Sequence, residues 1–200
     1  MDYPDTVLVK GEEYRVNTDY RNVVGIITVF HDDALDNLSR SMLAYRLFYK
    51  DWKLIADKVL LDSQPFGDAV SEFMLGKKER KVSNKHYEQL NYKAAMGLIV
   101  AGFQRDYGID ISDINYRIHW HKFTDMLRNL SQDNLITKIL GWYYSDSRGK
   151  KGDEIRQLNK IKTEYAHLFY KQKPDDELIN VSEVSKLVKQ KLSKRKNNGV

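Results

Sequence analysis

Two histidines, His119 and His121, are the residues of this sequence whose type most readily suggests chemistry. Imidazole is the commonest protein ligand for transition metals. If both residues lie on one helix, their side chains point about 200° apart, so the pair cannot share an ion. No carboxylate or further histidine stands at a helical spacing that would complete a site. We therefore expect no metal centre and no cofactor.

Two tight acidic clusters, Asp32-Asp33 and Asp175-Asp176-Glu177, are the candidates for acid–base catalysis. Such catalysis needs carboxylates in a concave site with shifted pKa values. One cluster is expected at a helix start and the other beside a linker, so both are interpreted as capping or solvated charges. The chain has no cysteine nucleophile, no phosphate-binding glycine loop and no G-x-S-x-G elbow. The sequence thus predicts a protein that is not an enzyme.

Clustered basic side chains are the third chemical candidate, because they could form a surface that binds phosphate. They are Lys77, Lys78, Arg80, Lys81, Lys85, Arg148, Lys150 and Lys151. Specific readout of nucleic acid also needs polar side chains aimed at bases or exposed aromatic rings for stacking. The aromatic residues here mostly occupy apolar stripes, which suits a core better. Nucleic-acid binding is therefore kept as an alternative function.

Composition limits the classes of protein to which the chain can belong. Its 200 residues, 42% hydrophobic and 12% aromatic, suffice for one ordinary core. The net charge of +5 lies mostly in residues 171–200, which hold eight basic and four acidic side chains and leave +1 for the rest. Such a tail can bind nucleic acid or an acidic partner, or remain solvated. No signal-peptide pattern and no apolar run of about 18 residues occurs, so we expect a soluble, unexported protein without membrane contact.

The first half of the chain predicts a hairpin followed by helices. β-Prone runs at 6–10 and 14–17 flank a glycine-containing turn and indicate a hairpin over about residues 5–17. A helix with apolar positions from Val23 to Phe30 follows, then one or two helices between Asp33 and Tyr49. Further helices are predicted at 52–60 and 66–75, separated by Pro65. The charged connector 76–81 is the predicted hinge.

The second half is organised around a stretch from Tyr107 to Leu130. Apolar residues three or four positions apart place one side of a helix against the core, and Ser112 or Asp113 is expected to cap that helix. These residues are Tyr116, Trp120, Phe123, Leu127 and Leu130. A central helix at 87–103 precedes the stretch. Helices carrying Leu135 to Tyr143 and spanning about 153–170 complete a body of residues 1–172.

The C-terminal segment, residues 173–200, is predicted to contain a linker, a short basic amphipathic helix and a disordered end. Its apolar stripe is Val181, Val184, Leu187, Val188 and Leu192. The stripe could dock back on the body, pair with a second copy or bind a partner helix. The predicted fold class is mainly α: a single helical domain with a small N-terminal β-hairpin and a short basic C-terminal helix.

The stretch from Tyr107 also resembles a known family. The run Tyr107-Gly108-Ile109-Asp110-Ile111-Ser112-Asp113-Ile114, followed by Trp120, Phe123 and leucines, is similar to the motif of a phage tail-region family named after gene product fifteen. The run Val16-Asn17-Thr18-Asp19-Tyr20-Arg21 resembles the exit from that family's hairpin. The resemblance covers about Tyr3 to Tyr165. The residues of the family motif are Tyr107, Gly108, Asp110, Tyr116, Trp120, Phe123, Leu127 and Leu130.

The resemblance implies a tail assembly chaperone or accessory protein of siphophages and prophages of Gram-positive bacteria. Genes of the family usually lie just upstream of the tape-measure gene. We therefore expect a non-enzymatic protein that keeps the tape-measure protein soluble in the host cytoplasm, helps tail-tube subunits add along it and is absent from the mature virion. A structural tail component is the closer alternative, and self-association stays open.

Overall fold

The computed structural model describes residues 3–75, 90–145 and 149–170. The described chain is mainly helical with a two-stranded N-terminal sheet, which confirms the predicted fold class. It forms two compact units, residues 3–75 and residues 90–145 with 149–170. Whether the two units act as the single body predicted from the sequence stays a prediction. The predicted hinge at 76–81 and the C-terminal segment lie outside the described residues.

The N-terminal unit begins with a tight hairpin. Strands β1 (Thr6–Val9) and β2 (Glu12–Arg15) are antiparallel, and Val9 is paired with Glu12. Lys10 and Gly11 have φ angles of 53° and 82°. Two consecutive positive φ angles are typical of the two-residue turns that match the twist of hairpin strands. The second strand therefore begins at Glu12, two residues earlier than the sequence predicted.

Four helices complete this unit: α1 (Tyr20–Phe30), α2 (Asn37–Phe48), α3 (Trp52–Leu61) and α4 (Gln64–Leu75). The β-branched residues of α1 have low helix propensity, but Val23, Ile26 and Ile27 are buried and α1 packs against α2. Tertiary packing thus stabilises the helix whose local propensity is weakest. Pro65 lies in the first turn of α4, where its missing N–H group removes no helical hydrogen bond.

The pair Asp32-Asp33 does not begin a helix, so that prediction was wrong. Helix α2 begins at Asn37, and the Asp36 carboxylate caps it by accepting the Ser39 N–H at 2.9 Å. The Asp32 carbonyl instead accepts a hydrogen bond from buried Arg40, at 2.9 Å. This bond fastens the loop between α1 and α2 to the second helix.

The C-terminal unit is built around α5 (Tyr92–Tyr107). This helix packs against α6 (Trp120–Arg128), α7 (Leu135–Tyr144) and the 3₁₀ turn Ala166–Leu168, while α8 (Gly152–Glu164) packs against α7. The central position predicted for α5 is confirmed, although the helix begins at Tyr92. Leu90 pairs with Phe169 in an isolated bridge, which ties the two ends of the unit together. The predicted last helix ends at Glu164 and continues as the 3₁₀ turn.

The start predicted for α6 was wrong by about two turns. Asp110 and Asp113 accept the N–H groups of Ser112 and Asn115, both at 2.8 Å, so residues 110–115 form two successive turns. Short polar side chains compete in this way with helix formation. Tyr116 consequently lies outside the helix and is 37% exposed.

We expect replacement of Gly108 by alanine to destabilise the protein by about 1–2 kcal/mol, because this residue ends α5 with φ +66°. Denaturant titration would measure the loss. The matched control is Gly97→Ala inside the same helix, where an added Cβ meets nothing within 4 Å. The control should be stabilised by up to about 1 kcal/mol. Equal changes in the free energy of unfolding for the two substitutions would contradict the role of Gly108 in ending α5.

Candidate interaction surface

Three ion pairs connect the hairpin to α3 along its length. They join Arg15 Nη2 to Asp51 Oδ2 at 3.0 Å, Lys58 Nζ to Glu12 Oε2 at 2.5 Å, and Lys10 Nζ to Asp62 Oδ2 at 2.7 Å. All six side chains are well exposed, so solvent screens the ion pairs and they add little to the stability of the fold. They help to orient α3, because Lys58 and the aspartates at the two ends of the helix point toward the hairpin.

The Lys58 pair also includes an aromatic ring. The ammonium lies 3.1 Å from the Tyr14 hydroxyl oxygen and 5.6 Å from the centroid of its ring, while Tyr14 donates to Glu12 at 2.7 Å. Hydrogen bonds from Lys58 and Tyr14 hold the pKa of the Glu12 carboxyl below its usual value, and the bond to Glu12 raises the pKa of Lys58. Both groups therefore stay charged near neutral pH.

Beside Lys58, α3 carries two solvent-exposed leucines, which we call the α3 stripe. Leu54 is 78% exposed and Leu61 is 68% exposed. They are seven positions apart, so they lie on the same face about 10.5 Å apart along the helix axis. Ile55 and Val59 of the same helix are buried. Helix α3 thus has apolar side chains on two faces, of which only one is covered within its unit.

Six other large apolar side chains are exposed in the described chain. They are Leu8, Leu43, Leu75, Ile114, Tyr116 and Leu135. Isolated exposed hydrophobic residues are ordinary on protein surfaces and need no explanation. The α3 stripe differs from them because its two members share one helical face. It is the described apolar surface best suited to contact another helix.

Net charge differs between the two units. Residues 3–75 contain eight basic and twelve acidic side chains, a net charge of −4. The described part of the C-terminal unit contains eleven basic and eight acidic side chains, a net charge of +3. On α4, exposed Asp68 and Glu72 stand one turn apart, and this helix contains no basic residue. The near-neutral body expected from the sequence therefore includes an acidic N-terminal unit.

The family-motif residues lie mainly in the packing of the C-terminal unit. Trp120 and Phe123 stack at 5.8 Å, and Phe103 of α5 stacks on Phe123 at 5.4 Å. Tyr107 donates a hydrogen bond to the Met126 carbonyl at 2.8 Å, which links α5 to α6. Leu127 and Leu130 are also buried, whereas Gly108, Asp110 and Tyr116 lie at the surface. The motif therefore encodes packing and a surface turn.

A family model described as bacteriophage Gp15 protein matches residues 2–167. The chain belongs to the bacteriophage Gp15 family. Searches of curated proteins and of solved structures gave no match. The resemblance seen in the Tyr107 stretch is thus confirmed, and this Gp15-family chain is a bacteriophage protein. None of its described helices is long and apolar enough to cross a membrane.

The geometry assumed for His119 and His121 was wrong. His119 precedes α6 and caps it, because its Nδ1 accepts the backbone N–H of His121 at 3.1 Å. The two imidazole rings therefore lie close, with centroids 5.2 Å apart, instead of pointing away from each other. Across residues 3–75, 90–145 and 149–170, no group of three potential ligands could hold a metal ion.

The predicted basic surface is described only at Lys150 and Lys151, which are exposed before α8. The Lys151 N–H donates to the Glu154 carboxylate at 2.8 Å, which closes the first turn of α8. Lys77, Lys78, Arg80, Lys81, Lys85 and Arg148 lie outside the described residues. The described residues thus bring together no phosphate-binding cluster from this set.

An open crevice of about 790 Å³ lies between the end of α7 and α8. Its lining residues are Tyr143, Tyr144, Ser145, Asn159, Lys162, Thr163 and Ala166. Lys162 donates to the Ser145 carbonyl at 3.0 Å and so caps the end of α7. Among the described lining residues there is no carboxylate and no histidine, so they offer no acid–base pair.

Sequence reasoning missed a polar network around Asp106. Its carboxylate accepts the Ser131 N–H at 2.6 Å and the Asn134 side-chain amide at 2.5 Å. Asn134 is the N-cap residue of α7, but its side chain makes no cap hydrogen bond and instead donates to Asp106 of α5. The partners are 25 and 28 residues apart, so no local spacing could have indicated the contact.

We expect His119→Ala to destabilise the protein by about 0.5–2 kcal/mol, because it removes the side chain that caps α6. Thermal unfolding followed by circular dichroism would measure the loss. His119→Ser is the matched variant, since a serine hydroxyl can accept the same N–H group and should retain most of the stability. An equal loss of stability in both variants would show that the loss in His119→Ala does not come from removal of the cap.

Proposed function

We propose that this Gp15-family protein is a non-enzymatic tail assembly chaperone or accessory protein that acts with the tape-measure protein. The observation that carries the proposal is the α3 stripe, two exposed leucines one heptad apart on a bacteriophage protein. A seven-residue spacing matches the apolar seam along which amphipathic helices pair. The described surface therefore suits a partner made of long apolar helical repeats.

The size of the stripe suits a temporary contact. Fully burying one leucine side chain stabilises a complex by about 1.5–3 kcal/mol before association costs are subtracted. Two leucines on one helix thus give a weak contact that exchanges readily. A chaperone must release its client when tail-tube subunits replace it, so many weak contacts serve this role better than one tight site.

The proposal requires no catalysis. The described lining of the crevice in the C-terminal unit contains no acid–base pair, and the described residues contain no metal-binding cluster. The buried tyrosines Tyr45 and Tyr49 have pKa values raised by burial, and their hydroxyls donate to backbone carbonyls, so they act in packing. A chaperone that is released when assembly ends would act in the host cytoplasm and be absent from the finished virion.

Co-expression with a tape-measure fragment tests the function. The wild-type chain should raise the soluble fraction of the fragment several-fold, and the Leu54→Gln/Leu61→Gln variant should lose most of this effect. Leu8→Gln is the matched control, because Leu8 is 72% exposed on the hairpin and lies outside the stripe. Circular dichroism would establish that both variants fold. An unchanged soluble fraction with the wild-type chain would overturn the proposal.

The location of the protein provides a second test against the structural alternative. Mass spectrometry of purified virions should detect tail-tube protein and no Gp15-family chain, because a chaperone leaves when assembly ends. A stoichiometric amount in the virion would instead identify a structural tail component and would contradict the chaperone role.

A further inference from the structure

Strand β1 is an edge strand of the described two-stranded sheet. The Val16 N–H donates to the Asp5 carbonyl at 2.9 Å, so these two residues form a hydrogen-bonded pair of the hairpin ladder. Hydrogen-bonded and non-hydrogen-bonded pairs alternate along an antiparallel ladder. Thr6 and Leu8 therefore belong to non-hydrogen-bonded pairs, and their N–H and C=O groups point away from β2. We call these four backbone groups the β1 edge.

The β1 edge is the open side of the hairpin. In the part of the chain that the structure describes, none of its four groups has a hydrogen-bond partner. Leu8 is 72% exposed, so solvent reaches the middle of the strand. The other edge of the hairpin is partly covered, because the Arg15 carbonyl accepts the Lys50 N–H at 3.1 Å and Val16 pairs with Tyr49.

The side chains of β1 do not prevent pairing with a further strand. Natural proteins usually protect edge strands with charged residues, proline or bulges. The four residues Thr6–Val9 include no charge and no proline, and three of them are β-branched, which suits a strand. Val9 is buried in the unit, whereas Leu8 lies on the opposite face of the strand. A strand added at this edge would cover part of Leu8.

We propose that the β1 edge pairs with the β1 edge of a second copy in antiparallel orientation, which joins two hairpins into one four-stranded sheet. The edge is self-complementary. When Thr6 lies opposite Leu8 of the other copy, the two strands exchange four N–H···O=C bonds, and Val7 lies at the two-fold axis. The two copies of Leu8 are then diagonal neighbours on one face, within reach of each other's side chains.

The charges at the two ends of the strand favour this orientation. Asp5 precedes β1 and Lys10 follows it. Antiparallel pairing brings the acidic end of each strand close to the basic end of the other, whereas parallel pairing would place like charges together. Lys10 already binds Asp62 at 2.7 Å, so the added attraction is small and mainly selects the orientation.

Pairing of this kind is weak and reversible. The ladder cannot extend beyond four bonds, because Pro4 has no N–H group and Lys10 turns the chain with φ 53°. A stable interface between separate proteins buries about 800 Å² on each partner, which two four-residue strands do not reach. We therefore expect a dimer that forms only at high protein concentration. It uses no residue of the α3 stripe, so it is independent of the proposed function.

Sedimentation velocity of the full chain over a range of concentrations should reveal a monomer–dimer equilibrium. Leu8→Pro should raise the dissociation constant about tenfold or more, because each dimer loses two hydrogen bonds while the hairpin keeps its own. Glu13→Pro is the matched control, since Glu13 stands opposite Leu8 and its N–H points to the other edge. This control should leave the dissociation constant nearly unchanged. Circular dichroism would establish that both variants fold.

Cysteine cross-linking tests the same contact without proline. The chain contains no natural cysteine, so Leu8→Cys introduces a single thiol. A short bismaleimide should link two Leu8→Cys molecules several-fold faster than two Glu13→Cys molecules, because only the first pair of thiols lies beside the shared edge. Thermal unfolding would establish that both cysteine variants retain the fold.

Four results would overturn the pairing. They are a monomer at every concentration, equal dissociation constants for Leu8→Pro and Glu13→Pro, equal cross-linking at the two positions, and a dimer that Leu54→Gln/Leu61→Gln abolishes but Leu8→Pro retains. The last result would place the contact on the α3 stripe. A dimer that only Leu8→Pro weakens, together with a failed co-expression test, would retain the pairing and reject the chaperone role.

Discussion

The N-terminal unit depends on the buried phenol of Tyr49. Its ring contacts Tyr14 of the hairpin and Phe66 of α4 at centroid distances of 6.2 and 5.7 Å, and its hydroxyl donates to the Phe66 carbonyl at 2.9 Å. Its backbone pairs with Val16 at the end of the hairpin. A buried hydroxyl without this acceptor would cost about 1–3 kcal/mol, so the bond fixes the relative position of three elements.

Because these elements pack on one another, α3 needs to cover the core with one face only. Ile55 and Val59 perform that task, and ion pairs to the hairpin orient the helix. The leucines of the α3 stripe are not part of the buried core of the unit. Their exposure therefore leaves them available to a partner.

In the C-terminal unit, α5 is held in place both by aromatic ring contacts and by hydrogen bonds. Trp120, Phe123 and Phe103 form a ring cluster on one side, while Asp106 holds the segment before α7 through backbone and amide donors. Gly102 allows this segment to approach closely, since an added Cβ would lie 3.0 Å from Leu130. Most residues of the family motif therefore serve packing, so the motif indicates common ancestry more directly than it indicates a mechanism.

The sequence by itself determined the mainly helical class, the N-terminal hairpin, the central α5 and the family, because apolar periodicity, turn residues and motif spacing are local signals. The later start of α6 at Trp120 also has a local cause, because Asp110 and Asp113 accept N–H groups two residues further on and so form turns, but the apolar spacing concealed it. The tertiary structure decided features that have no local cause. It also decided which leucines stay exposed, because Leu54 and Ile55 are both apolar and differ only in what packs against them. Contacts between distant residues, such as that of Asp106 with Asn134, leave no local trace in the sequence.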